Sequence, residues 1–209
     1  MSTWTAEHRY RRGVRLLISY MFTSLDGFIA DNDGGLDWVP IDDELMRFAN
    51  TYFSAADGVV FGRNVHQGFV SYWDELVPAA PSVTELDVEF AGIFGKMERI
   101  VVSTTLRDVG ANTVVISDDV AARIGELKAQ SGSDLLLICG PELRSTLAEH
   151  GLIDRYRTLA APVVLGEGVP LFRKMREPVQ LRLLGSHAFE GGVVMLDHAT
   201  GQPGEPVTQ

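Results

Sequence analysis

Asp134-Leu-Leu-Leu-Ile-Cys-Gly-Pro-Glu-Leu-Arg-Ser-Thr-Leu-Ala-Glu149 is the stretch whose reading decides the fold. Its five apolar residues, Leu135 to Cys139, run without the polar alternation of a half-exposed strand. That is the pattern of a strand buried on both faces, as in a parallel sheet with helices on either side. Gly140 ends the strand. Pro141 cannot continue a ladder but suits the first turn of a helix, and Leu143 with Leu147 gives the i, i+4 spacing of a stripe packed back on the sheet. A strand, a tight glycine turn and a helix N-terminus aim unpaired backbone N–H groups and the positive end of a helix dipole at one point, where a phosphate is favoured. An ordinary β-to-α connection has the same grammar, so the neighbouring stretches have to decide.

They repeat the unit. Gly58-Val-Val-Phe-Gly62 is a short apolar strand closed by glycine, followed by Arg63, Asn64 and a helix start. Arg99 to Ser103 is a third buried strand, closing in Ser103-Thr104-Thr105, and Thr113 to Ile116 a fourth. Val120, Ile124 and Leu127 mark a helix stopped near Gly132; Leu86, Phe90, Ile93, Phe94 and Met97 mark another. Asp42 or Asp43 can cap a helix whose residues Leu45, Phe48, Ala49, Tyr52 and Phe53 form a full amphipathic face. Val14 to Phe22 reads as a central strand, and the long segment Thr23 to Pro40, with three glycines and no period, as a functional loop. Within that loop Asp31-x-Asp33-Gly34 lacks the acidic spacing and closing Glu of a calcium loop. From Asp154 onward the segments Arg155–Leu165, Leu181–Ser186 and Val193–Asp197 are strand-like, with helix expected only at Leu171–Arg176. The expectation is an α/β fold of three layers, α/β/α, with a mostly parallel twisted sheet and antiparallel C-terminal edge strands.

With 209 residues and 45% hydrophobic content, one domain spanning residues 14–198 suffices, between a solvated leader (1–13) and a loose tail (199–209). A net charge of -10 disfavours nucleic acid and anionic membrane surfaces and points to small-molecule partners. The single cysteine, Cys139, fits a reducing cytosol, hence a cytoplasmic location. His8, His66, His150, His187 and His198 lie too far apart for a local metal motif, so no structural metal is expected. The arginines before Leu16–Phe22 imitate a signal peptide. That run is too short for a membrane span, contains Ser19 and Tyr20, and lacks a cleavage site.

Six ordered pieces, covering roughly Leu16 to Leu196, resemble the dihydrofolate reductase family, in the branch shared with the reductase domain of riboflavin-biosynthesis enzymes. They are Ser24-Leu-Asp-Gly-Phe-Ile-Ala30 with Trp38 after it, Phe61-Gly-Arg63, Val102-Ser-Thr-Thr-Leu106, Cys139-Gly-Pro-Glu-Leu143, Gly151-Leu-Ile-Asp-Arg-Tyr156, and Pro162-Val-Val-Leu-Gly-Glu-Gly-Val-Pro-Leu-Phe172. The resemblance implies NADPH, with NADH as the other possibility, lying across the strand ends on Ile29, Ala30, Gly62, Arg63, Asn64, Ser103, Thr104, Thr105, Gly140, Pro141, Glu142 and Leu143. It implies a homodimer paired through the late strands, and hydride transfer to a flat polar heterocycle such as a pterin, pyrimidine or flavin-like ring. An acidic residue early on the first helix, Asp43 by position, would anchor or protonate the substrate; helix capping explains an Asp there equally well. Thr158 matches a hydroxyl facing the substrate, and Trp38 would cover a flat ring or plug the core.

The departures concern donors. Where the family often has two glycines this chain has Gly140-Pro141, and where it often has Gly-Arg-x-Thr this chain has Val65. Pro141 offers no N–H and Val65 no hydroxyl. Thr104 stands where the family has a basic residue, which leaves Arg63 as the main cation for a phosphate. The missing donors keep a second class open, a binding protein that holds a nucleotide or flavin-like ligand without turning it over. At Gly140–Pro141 the resemblance implies a cis bond, whereas a trans proline at the first helical position is equally good grammar.

Overall fold

A computed structural model describes residues 15–76, 80, 82–107, 109–110 and 112–201. The expected leader therefore lies outside the described residues, as do residues 202–209 of the expected tail. Strands β1 (Leu17–Thr23), β3 (Gly58–Gly62), β4 (Glu98–Val102), β5 (Thr113–Ile116), β6 (Leu135–Ile138), β7 (Arg155–Ala160), β9 (Leu181–Ala188) and β10 (Val194–Thr200) form one sheet in the order β5-β4-β3-β6-β1-β7-β10-β9. The first six run parallel; β10 is antiparallel to β7, and β9 to β10. All four residues of β6 are buried, because it is inserted between β3 and β1 and covered on both faces.

Helices α1 (Asp43–Ser54), α2 (Arg63–Asp74) and α3 (Glu85–Phe94) cover one face, where Leu45, Tyr52, Phe53, Phe90 and Phe94 pack on Ile18, Tyr20, Phe61, Val101 and Leu136. The other face is covered by α4 (Val120–Ala129) and α5 (Pro141–Glu149), through Ile124, Leu147 and Ala148 on Leu17, Val60, Ile100 and Leu137. The α/β/α layering and the antiparallel edge expected from the sequence are present. Among the buried polar residues, two arginines are fully enclosed, each about 1% exposed. Arg157 on β7 pairs with Asp197 across the β7–β10 ladder and lies 4.1 Å over the Tyr52 ring. Arg144 on α5 donates to the Ser19 hydroxyl of β1 and, at 2.7 Å, to the Cys139 carbonyl.

Several expectations need correcting. No cis peptide occurs among the described residues, so Gly140–Pro141 is trans. Gly140 is extended (φ -71, ψ 176), the conformation favoured before proline, and Pro141 occupies the first helical position, so the turn closes without isomerisation. Leu171–Arg176 is not helical. Its N–H groups are taken elsewhere: Leu171 by Gly27 O at 2.9 Å, Arg173 by Ser145 Oγ at 3.1 Å and Arg176 by Glu149 Oε1 at 3.1 Å. The strand begun at Arg155 stops at Ala160, just before Ala161-Pro162. Thr23–Pro40 is not wholly a loop, since β2 (Phe28–Ala30) pairs antiparallel with β8 (Val169–Pro170). Gly168 permits this, because at φ +148 any Cβ would stand 2.3 Å from the Ala30 carbonyl oxygen. Finally, β10 continues through Thr200 and takes two residues of the expected tail.

Asp42, not Asp43, caps α1. Its carboxylate accepts from Leu45 N at 2.8 Å and also from Gly191 N at 2.7 Å, fastening the helix to the β9–β10 turn. Asp43 is exposed and pairs with Arg47 at 2.9 Å. Asp42→Ala should therefore lower stability by about 1 to 2 kcal/mol, the worth of a lost cap. Asp43→Ala should change it by no more than about 0.5 kcal/mol, as exposed pairs do. Urea midpoints at constant slope check both, and equal losses would show the assignment to be wrong.

Candidate functional site

Because β4, β3 and β6 are adjacent and parallel, the turns after them open side by side at the carboxyl end of the sheet. In open α/β sheets this is where ligands bind. Gly62 and Gly140 are close neighbours: a Cβ on Gly62 would lie 3.6 Å from Cys139 Cβ and 3.9 Å from Gly140 N. Space is also open at Gly140, where an added Cβ would meet nothing within 4 Å. Helix α2 starts at Arg63 and α5 at Pro141. Neither N-cap glycine has a side chain to accept from the first-turn N–H groups. Helices α1 and α3, by contrast, are capped by Asp42 and Thr84. Two uncapped helix starts on adjacent strands, each with its dipole pointing outward, form a natural seat for a diphosphate.

The third turn supplies hydroxyls. Ser103 Oγ accepts from Thr105 N at 3.2 Å and Leu106 N at 3.0 Å, which fixes the turn and leaves its proton to donate. Thr104 and Thr105 are exposed. Arg63 Nη1 donates to Thr105 Oγ1 at 3.0 Å, and its Nε to Asn64 Oδ1 at 3.2 Å. This exposed guanidinium is thus held across the β3 and β4 turns, with donors to spare for an anion. Glu142 can contribute only backbone here, because its carboxylate is 82% exposed and pairs with Arg173 at 3.2 Å. Leu143 is half-buried behind the Gly140 turn.

Over the ends of β1 and β7 lie two loops tied together by Asp26. Its carboxylate accepts from Leu165 N at 3.1 Å and Gly166 N at 2.7 Å, and Leu25 N bonds Val163 O at 2.7 Å. Hydrogen bonding from Ser24, and then from the Gly166 and Leu165 amides, holds the Asp26 carboxyl below its ordinary range. The clasp therefore stays charged into mild acid. Ile29 is buried and Ala30 half-buried in the β2–β8 ladder beside it. Trp38 is half-buried, its Nε1 donating to Gly35 O at 3.1 Å.

Asp43 and Thr158 are not brought together. Asp43 lines a hollow of ≈ 620 Å³ between α1 and α3 with Thr84, Glu85 and Glu89. Along β7, Tyr156 faces the α5 side while Arg157 and Leu159 face α1, so strand alternation puts Thr158 on the face away from α1. Sequence reading missed the Asp26 clasp, whose partners lie about 140 residues away, and the buried Arg144. The only signal for Arg144 was its place beside Leu143 and four residues before Ala148 on a buried helix face. Burial lowers the Arg144 pKa and pushes the adjacent Cys139 thiol up to about 11.

Comparison with known proteins agrees with this architecture. Over 182 residues the chain is 28% identical to protein YyaP of Bacillus subtilis (strain 168), covering 87% of this chain and 93% of that one. A putative riboflavin biosynthesis protein from Shewanella sp. PV-4 superposes with a TM-score of 0.68 at 21% identity, covering 90% of this chain and 99% of that one. The dihydrofolate reductase of Enterococcus faecalis, solved with NADP(H) and RAB-propyl, superposes with a TM-score of 0.61 at 13% identity, covering 90% of this chain and 97% of that one. Residues 15–195 match the RibD C-terminal domain, and the chain belongs to that family, on a dihydrofolate-reductase-like fold.

Proposed function

We propose that the protein is an NADPH-dependent reductase acting on a flat heterocycle. The observation that carries this is the pair of uncapped helix starts at Gly62 and Gly140, with Arg63 braced by Thr105 beside them. The donor set fits a dinucleotide: first-turn amides of α2 and α5 for the diphosphate, Arg63 for an added phosphate, and the hydroxyls of Ser103, Thr104 and Thr105 around it. When bound, NADPH supplies a hydride, which a ring takes up together with one proton from solvent, leaving NADP⁺ and the dihydro ring. The chain's own work is to hold two flat rings in register and keep the crevice dry. Asp43 pairs with Arg47, and strand alternation puts Thr158 on the sheet face away from α1, so in this reading neither is assigned as the proton donor. The proton then comes from water at the open rim.

A second reading, a protein that binds the nucleotide without turning it over, is favoured by the absent N–H at Pro141 and the absent hydroxyl at Val65. Single-turnover oxidation of NADPH at 340 nm with an added acceptor separates the two readings; tight binding without oxidation supports the second. We place the protein in a reducing compartment, the cytosol, on the strength of its lone buried cysteine.

Arg63→Ala should weaken NADPH by about 1 to 3 kcal/mol and leave NADH unchanged, the range of a charged hydrogen bond. Titration followed by tryptophan fluorescence reads it, and equal losses for both cofactors would refute the role of Arg63. We also propose a homodimer joined through β9, the edge strand, on which Leu183 is 55% exposed. Sedimentation should report twice the 22.9 kDa chain mass, and a mass of one chain would refute the dimer.

A further inference from the structure

The acids near the crevice mouth are already committed to the protein. Asp26 is taken by the Leu165 and Gly166 amides, and Asp42 by the Leu45 and Gly191 amides. Glu44 accepts from Glu190 N at 2.7 Å and contacts His187 Nε2 at 3.2 Å. Asp31 is taken by Asp33 N at 3.0 Å and Gly35 N at 2.7 Å, and Asp43 by Arg47. The other acids of these loops, Asp33, Asp37 and Glu167, are exposed, where water competes for every hydrogen bond. A ring with an amidine edge, such as a pterin or an aminopyrimidine, presents two parallel N–H donors, and a fixed, sheltered carboxylate is the group that matches them. None is on offer.

What the same loops do offer is apolar surface. Leu25 is 72% exposed, Val164 65%, Ile41 58% and Leu36 53%. Leu25 and Val164 are brought together by the Leu25 N–Val163 O bond and the Asp26 clasp, over the ends of β1 and β7. Ile41 and Leu36 lie on the stretch that leads into α1 at the same end of the sheet. Exposed apolar groups clustered at the mouth of a crevice mark a ligand surface, and their match is a ring with a broad apolar face.

Resting on the reductase reading above, we infer that the substrate is a neutral polycyclic heterocycle of the isoalloxazine class, held by its apolar faces between these loops, and not an amidine-edged pterin or pyrimidine. Such a ring accepts a hydride, carries a dimethylbenzo edge suited to Leu25 and Val164, and presents a single imide N–H in place of two parallel N–H donors.

The test uses the full chain with riboflavin and a 2,4-diaminopteridine as probes, each titrated by equilibrium dialysis with and without NADPH. Riboflavin should bind at least about tenfold more tightly than the pteridine, a difference of about 1.4 kcal/mol. Leu25→Asp should weaken riboflavin by a similar factor while NADPH affinity, set at the other turns, stays as in the wild type. Val164→Asp is the second probe should the first variant fail to fold. Tighter binding of the pteridine, or riboflavin affinity untouched in a folded variant, would overturn the inference. NADPH binding without riboflavin binding sinks this inference and leaves the reductase reading standing. Riboflavin binding without NADPH binding sinks the reductase reading and keeps the apolar site.

Discussion

Everything at the working end of this protein depends on β6 lying between β3 and β1. A strand with both neighbours and both faces covered must be apolar throughout, and Leu135–Ile138 is. Placed there in parallel register, it sets the Gly140 turn beside the Gly62 turn and one strand from the loop after β1. In the proposed reading a phosphate seat thereby adjoins a ring seat. Were β6 at an edge, the two uncapped helix starts would not be neighbours, and neither dipole alone would hold a doubly charged group well.

The two halves of the crevice are built by different means. The half proposed for the cofactor rests mainly on backbone: helix starts without caps, a serine turn and one braced arginine. The half proposed for the substrate rests on long-range clasps, since the Asp26 carboxylate and the β2–β8 ladder join segments about 140 residues apart. The acidic α1 start has a structural role, fastened to the β9–β10 turn by Asp42 and Glu44.

Much of this was legible from residue order alone. Apolar runs such as Leu135–Ile138 and Val59–Phe61, and stripes such as Leu45, Ala49, Tyr52 and Phe53, carry their own period, so strands and helices could be read locally. The glycine and hydroxyl turns were legible because strand ends have distinctive chemistry. What was hidden depends on partners distant in the chain. Asp42 and Asp43 look equivalent in sequence, and their partners tell them apart: Leu45 N and Gly191 N for Asp42, Arg47 for Asp43. The 171–176 segment has helical composition, yet Gly27, Ser145 and Glu149 take its amides. Thr158 could be assigned to a strand, but which face it occupies follows from the register with β1 and β10.

Cys139 illustrates a further consequence of close packing behind the Gly140 turn. Its thiol is wholly buried and, by desolvation, stays protonated well above neutral pH, so it is a poor nucleophile. The chain therefore behaves toward thiol reagents as if it had no cysteine at all. A cysteine introduced on a loop would be the sole reactive one, and a maleimide dye placed there would report loop movement without any need to alter the native core.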